Sequence, residues 1–492
     1  MPNRFVKAPN TVMGWGLVFL LLSSPVSSQV LQGWLDIDTR DLFASSGLPR
    51  EGWQDGSIEL LQLPMVSQPR IRIVSSYDDV YREEGTQYRT QVDRFEYGSY
   101  FEVPLGPEGG CLGFELSHLT ANGRVCPSLE ERVSLGWAVQ RFAVGIGRHL
   151  WGRRLTAGGK IAVTHMDGGW LPGAALALAI RPRPAISLAA HAGWQPDTRM
   201  VDWKIEGEEY RAEVKFWHRW WAAEMKVDFS PRFSIETGYK HGWIYAPAKW
   251  YEGVSFGFNP AIASACVKAV VQYDLTDRTA LILRLKTAAI DGSGESYHHG
   301  QPFGKLTTFL LDETDVELIG TCWSANSART TFSYGNYQVA STQRGHQDPW
   351  PFSIGIFDQL LRVYYRGSGE ARVNRLALEY ARSPRAVDDW ALVVGYVWMT
   401  PDLGLLQRRT KLIIFDSGEL TRSYLNVIQA EFLALEARKS IILGGIALTY
   451  SFTKAIPTWV RLREKPPPPE PPEVKKKAKG GNFHMLELAY VW

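Results

Sequence analysis

Charged side chains recur at every second position in several stretches of this 492-residue chain, with apolar residues between them. Glu224, Lys226 and Asp228 alternate with Trp221, Ala223, Met225, Val227 and Phe229, and Arg211, Glu213 and Lys215 alternate with Tyr210, Ala212, Val214 and Phe216. Glu236 and Lys240 follow Phe233 and Ile235 in the same rhythm, Arg284 and Lys286 sit among Leu281, Leu283 and Leu285, and Arg375 and Glu379 flank Leu376 and Leu378. A period of two gathers each charged set on one face of a β-strand. Opposed rows of acids and bases around an aqueous lumen set a transverse field that sorts polar solutes by charge and dipole. The plainer alternative is that they hydrate a surface and pair across strands.

Other chemistry is thin. The ten His residues are scattered, and the pair His298 and His299 has no nucleophile motif beside it, so a Ser–His hydrolase lacks its parts. Asp36, Asp38 and Asp41 lack the further oxygen donors and central Gly of a calcium loop and fit a solvated acidic turn. No spacing suggests a metal site or a cofactor motif. Cys111 and Cys126, close in sequence, are candidates for a disulfide stapling a hairpin in an oxidising compartment, whereas Cys266 falls within a strand pattern.

The elements that must carry these faces follow. Arg4 and Lys7, the apolar run Val12 to Leu22 and the small residues ending at Ser28 form an export leader, 1–28, too short to cross a bilayer as a helix. Its removal takes the basic count from 54 to 52 against 51 acidic residues, a balance that argues against a nucleic-acid partner. Residues 29–68 show little alternation and suit an N-terminal periplasmic lead-in, lid or plug. Strand texture fills 69–492, broken at 466–481 by a Pro/Lys-rich loop before a closing strand at 483–492. That loop is a semi-rigid spacer whose Lys475, Lys476, Lys477 and Lys479 can meet an anionic polymer or stand solvated.

Short turns are expected at 182–184, 230–232, 276–278, 367–369 and 383–385, and longer loops at 291–304 and 341–351. The charged set moves from odd positions in 211–215 to even positions in 224–228, which calls for a turn or bulge within Trp217 to Trp220. No segment after the leader has the uninterrupted apolar length of a membrane helix, so a membrane could be crossed only by a closed barrel. The 19 Trp and 12% aromatic content suit interfacial girdles, as in 217–221 and 240–251.

The last strand sharpens this. Leu486, Leu488, Tyr490 and Trp492 share one face. In this the chain resembles bacterial outer-membrane β-barrels of the porin-like class, whose closing strand ends in an aromatic residue, more often Phe than Trp. The resemblance implies an all-β, transmembrane antiparallel β-barrel of about 16 to 20 strands, an assembly signal recognised by the barrel-assembly machinery, and contact with outer-membrane lipid and lipopolysaccharide. The function expected is a channel or transporter for small polar solutes lined by the charged positions above. The alternatives are a non-enzymatic export or assembly component of the envelope and, less favoured, an outer-membrane hydrolase.

Overall fold

Alternation over long runs, with β-branched and aromatic residues on the apolar face, specifies strands, and strands dominate the computed structural model. It describes residues within 60–491. Outside it lie residues 1–59, Trp492 and connections that include 85–88, 107–109, 127–131, 246–255, 348–360, 383–387, 424–426 and 464–476, with a few isolated positions. After a short 3₁₀ turn, Leu63–Met65, come β1 (Arg70–Glu84), β2 (Arg89–Pro104), β3 (Gly110–Cys126), β4 (Arg132–Leu150), β5 (Leu155–Met166), β6 (Gly169–Arg183) and β7 (Ile186–Ile205). Then follow β8 (Glu208–Ser230), β9 (Phe233–Tyr245), β10 (Phe256–Thr276), β11 (Thr279–His298), β12 (Gln301–Trp323), β13 (Ala328–Gln347) and β14 (Leu361–Arg382). The last group is β15 (Asp388–Leu403), β16 (Leu405–Leu412), β17 (Phe415–Ser423), β18 (Val427–Leu443), β19 (Ile446–Arg463), β20 (Lys477–Lys479) and β21 (Asn482–Val491).

Neighbours in sequence pair antiparallel from β1 to β15; β15 then pairs with β18, β18 with β19, and β19 with β21. β21 pairs in turn with β1 from Arg70↔Val491 to Asp79↔Asn482, so the ladder returns on itself. Strands β16, β17 and β20 extend the lines of β15, β18 and β21, which leaves 18 strands in the ring. An even count brings Arg70 and Val491 to one rim, and β19 and β21 join across residues 464–481 at the other. A closed ladder leaves no edge strand and satisfies the backbone without solvent.

The two faces differ. Leu281, Leu285, Leu376, Leu378, Leu392, Val394, Leu448, Tyr450, Leu486 and Leu488 all point outward and are exposed. So broad an apolar surface is what a bilayer would cover. On β6 it runs from Trp170 to Ile180; ten steps of about 3.3 Å each, tilted by about 40°, rise about 25 Å, the height of a barrel's hydrocarbon band. Aromatic pairs mark its limits: Phe229 with Phe233 and Tyr380 with Trp390 near the rim of the termini, and Trp194 stacked on Trp217 on the far side.

Four sequence expectations are corrected. Residues 367–369 form no turn, because Gly367, Ser368 and Gly369 pair with Gln343, Thr342 and Ser341 inside β13 and β14. The loop expected at 291–304 is mostly strand, β11 reaching His298 and β12 starting at Gln301, and β13 continues through 341–347. Beyond the apolar band a strand can be polar on both faces, so Gly and Ser there do not announce a loop. Third, the ladder between β7 and β8 runs without a register shift from Ile186↔Val227 to Ile205↔Glu208, so no bulge or turn occurs at Trp217 to Trp220. Finally, Cys111 and Cys126 sit at opposite ends of β3, fifteen residues and about 50 Å apart, and Cys111 is a thiol rather than half of a bridge.

Candidate functional site: the inner wall

Because β8 is unbroken, its odd positions face outward over its whole length, in phase with exposed Trp221 and Met225. Glu224, Lys226 and Asp228 therefore face the lumen. Arg211, Glu213 and Lys215, whose side chains lie outside the described residues, occupy backbone positions of the outward phase, opposite Asp202, Met200 and Thr198 on β7. Past the apolar band the outward face turns polar on β13 and β14, with Asn336 and Gln338 and the ion pair Glu370–Arg372 outward, above Phe332 and Leu378.

The remaining predicted positions, Glu236, Lys240, Arg284, Lys286, Arg375 and Glu379, stand on the inward phase of β9, β11 and β14. They do not form opposed rows across the lumen. The described cross-strand ion pairs of the inner face instead join strands of the same stretch of wall. On β7 to β10, Lys268 Nζ lies 2.8 Å from Glu224 Oε1 and 3.3 Å from Glu236 Oε1, and His191 Nε2 lies 3.6 Å from the other oxygen of Glu224. Lys268 reaches Glu224 across β9 by passing over Gly238, where an added Cβ would come within 2.7 Å of Lys268 Cε. Glycine here is a saddle for an ion pair that skips a strand.

Lys268 and Lys286 are direct cross-strand partners, an unfavourable placement for like charges. They lean apart. Lys286 Nζ turns to β12, donating to Glu313 Oε1 at 2.7 Å and lying 3.6 Å from Asp315 Oδ2. One step further along, Arg284 donates to Glu317 at 2.9 Å, and Arg375 reaches the same carboxylate from β14 over inward Gly335 on β13. Arg329 donates to Glu379 at 2.6 Å. Their neighbours on the wall cover several of these groups: the side chains of Glu313, Glu379 and Arg375 are 0%, 1% and 3% exposed.

Six carboxylates thus meet five permanent cations and His191 along this arc, so the wall carries little net charge and a dense set of local dipoles. His191, Lys268, Glu313, Asp315, Glu317 and Arg329 are the members that sequence reasoning missed. The acidic run at 313, 315 and 317 has the period-two signature and was available to find. Lys268 and His191 have no charged residue two positions away on either side and so carry no pattern.

On the adjoining arc, β3 to β6, the lumen holds part of the chain itself. Leu60, Leu63 and Val66 pack with Cys111, Ala143 and Ala177, with Ala162 and Ala175 at the margin. The wall is small-residue lined here of necessity, since a Cβ on Gly147 or Gly158 would come within 2.8 Å of the Leu60 carbonyl oxygen. Among the described residues no group of three or more His, Cys, Asp or Glu could hold a metal ion. In β21, Leu486 and Leu488 are exposed on the outer face and Tyr490 pairs with Ile71 and Ile446; Trp492 lies outside the described residues.

No family model matches this chain, and no curated protein does. Among solved structures it is similar to a bacterial polysaccharide outer membrane secretin (9% identity over 86% of this chain and 98% of that one, TM-score 0.35). It is also similar to OpdL of Pseudomonas aeruginosa (13%, 86% and 98%, TM-score 0.36) and to the FrpB iron transporter of Neisseria meningitidis (8%, 89% and 83%, TM-score 0.37). Identities and scores this low transfer neither fold nor activity, so the ring and its two faces stand on this chain's own pairing.

Proposed function

We propose that this protein is an outer-membrane β-barrel that forms a water-filled channel for small polar solutes. The observation that carries the reading is the closed 18-strand ring with an apolar outer face and a polar, internally paired inner face. A ring of that size is too wide for its own side chains to fill. Charge compensation along the wall favours weakly selective passage of neutral, zwitterionic and singly charged solutes over selection by sign. Leu60 to Val66 reduces the open cross-section at the rim of the termini, which gives the lead-in the role of a partial plug.

In this reading the rim of the termini faces the periplasm and residues 464–481 face the cell exterior, near lipopolysaccharide. The outward apolar residues of β21, with Trp492, serve as the signal for the barrel-assembly machinery. An export-component reading has one observation in its favour: β20 anchors one end of the Pro/Lys stretch to β1 at the far rim. A partner retained only when residues 466–479 are present would support it.

Swelling of proteoliposomes tests the proposal. Glycine, a small sugar and singly charged amino acids should enter at rates within a few fold of one another when matched for size. Vesicles holding folded protein that stay as tight as protein-free vesicles would refute it.

A further inference from the structure

The wall does not keep 18 strands along its full height. β5, β6 and β9, with 12, 15 and 13 residues, stop short of their neighbours of 19 to 23 residues. Above the hairpin of β5 and β6, Arg132 to Gly136 of β4 pair directly with Met200 to Lys204 of β7. Above β9, Phe256 and Gly257 of β10 lie parallel beside Ala212 and Glu213 of β8. Three strands have left the wall between β4 and β10 at that level.

From this we infer that the channel tapers toward the far rim, and that the size limit for solutes is set there by strand number as well as by loops. Barrel diameter grows roughly linearly with strand count, so the lumen at the joint is narrower than below it. The joint lies beyond the apolar band, where Trp170 marks the top of the short hairpin, so the narrowing costs no membrane-facing surface. A solute entering from the far side meets the narrow end first; one entering from the rim of the termini meets the wide end and then Leu60 to Val66.

This inference rests on the channel reading, and two measurements separate their fates. Neutral polyethylene glycols of graded size, added to one side of a bilayer holding oriented channels, should be excluded from the far mouth at a smaller hydrodynamic radius than from the other. To remove the contribution of Leu60 to Val66, the comparison is repeated with Gly158→Leu. Equal cut-offs on the two sides in that variant would overturn the taper; absence of any conductance would overturn the channel itself. The joint can also be tested without transport. Ser134→Cys with Asp202→Cys, direct partners across it, should cross-link on oxidation of the folded protein. Failure to cross-link, when Ser440→Cys with Thr449→Cys does so in the same barrel, would overturn it.

Discussion

A buried ion pair is held by geometry more than by net attraction, which makes its partners unequal under mutation. Lys286→Met would leave Glu313 and Asp315 in a dry recess without their shared cation, a loss of about 3–5 kcal/mol. Adding Glu313→Leu should recover a large part of it, because only Asp315 is then left without that cation. Urea unfolding of the barrel in lipid vesicles, run as a double-mutant cycle, measures both; a double variant no better than Lys286→Met would contradict this account of the recess. Gly238 makes a sharper prediction. Gly238→Val places methyl groups where Lys268 crosses to Glu224, so the folded form should convert to the unfolded one at a lower temperature on gels, whereas Ser234→Val on the same face should not shift it by as much.

At the scale of the element, one strand carries two environments. Leu285→Arg, outward in the middle of the apolar band, should cost about 2–4 kcal/mol, and Gln338→Arg, outward but above the band, about 0–1. Equal costs at the two positions would mean that the band is misplaced. The same contrast explains what the sequence could reveal. Alternation in 221–229, 281–286 and 375–380 located strands and their outward apolar set, because inside the band outward must mean apolar. Past the band, as at Asn336, Gln338, Glu370 and Arg372, that rule no longer holds and polarity ceases to report direction, and only the unbroken register of β8 with β7 shows that no turn or bulge falls at Trp217 to Trp220. The pairing partners of a charge, such as Glu317 for both Arg284 and Arg375, depend on which strands become neighbours and on a glycine between them, neither of which local pattern encodes.

For the whole molecule, closure was legible in the last residues: an alternating strand with an outward apolar face is what the first strand needs as its partner, and β21 and β1 supply one another. The strand count of 18 falls inside the range that length allowed, although the strands are longer than a bilayer requires. The occupied arc of the lumen was legible only as a change of texture before residue 69, since its seat is built from Gly147, Gly158 and Ala residues spread over three strands, with Cys111 on a fourth. Gly158→Leu should unseat Leu60 to Val66 and raise conductance while the barrel stays folded; unchanged conductance would show that this segment does not limit flow. Protease added to intact cells should cut within 464–481, and access only from the periplasm would reverse the orientation. The central claim, that the ring encloses an open aqueous path, is tested most directly by single-channel recording of the folded chain from Gln29 in a planar bilayer. Discrete conductance steps that scale with salt concentration are predicted; a barrel shown to be folded by its heat-modifiable migration, yet passing no current, would contradict it.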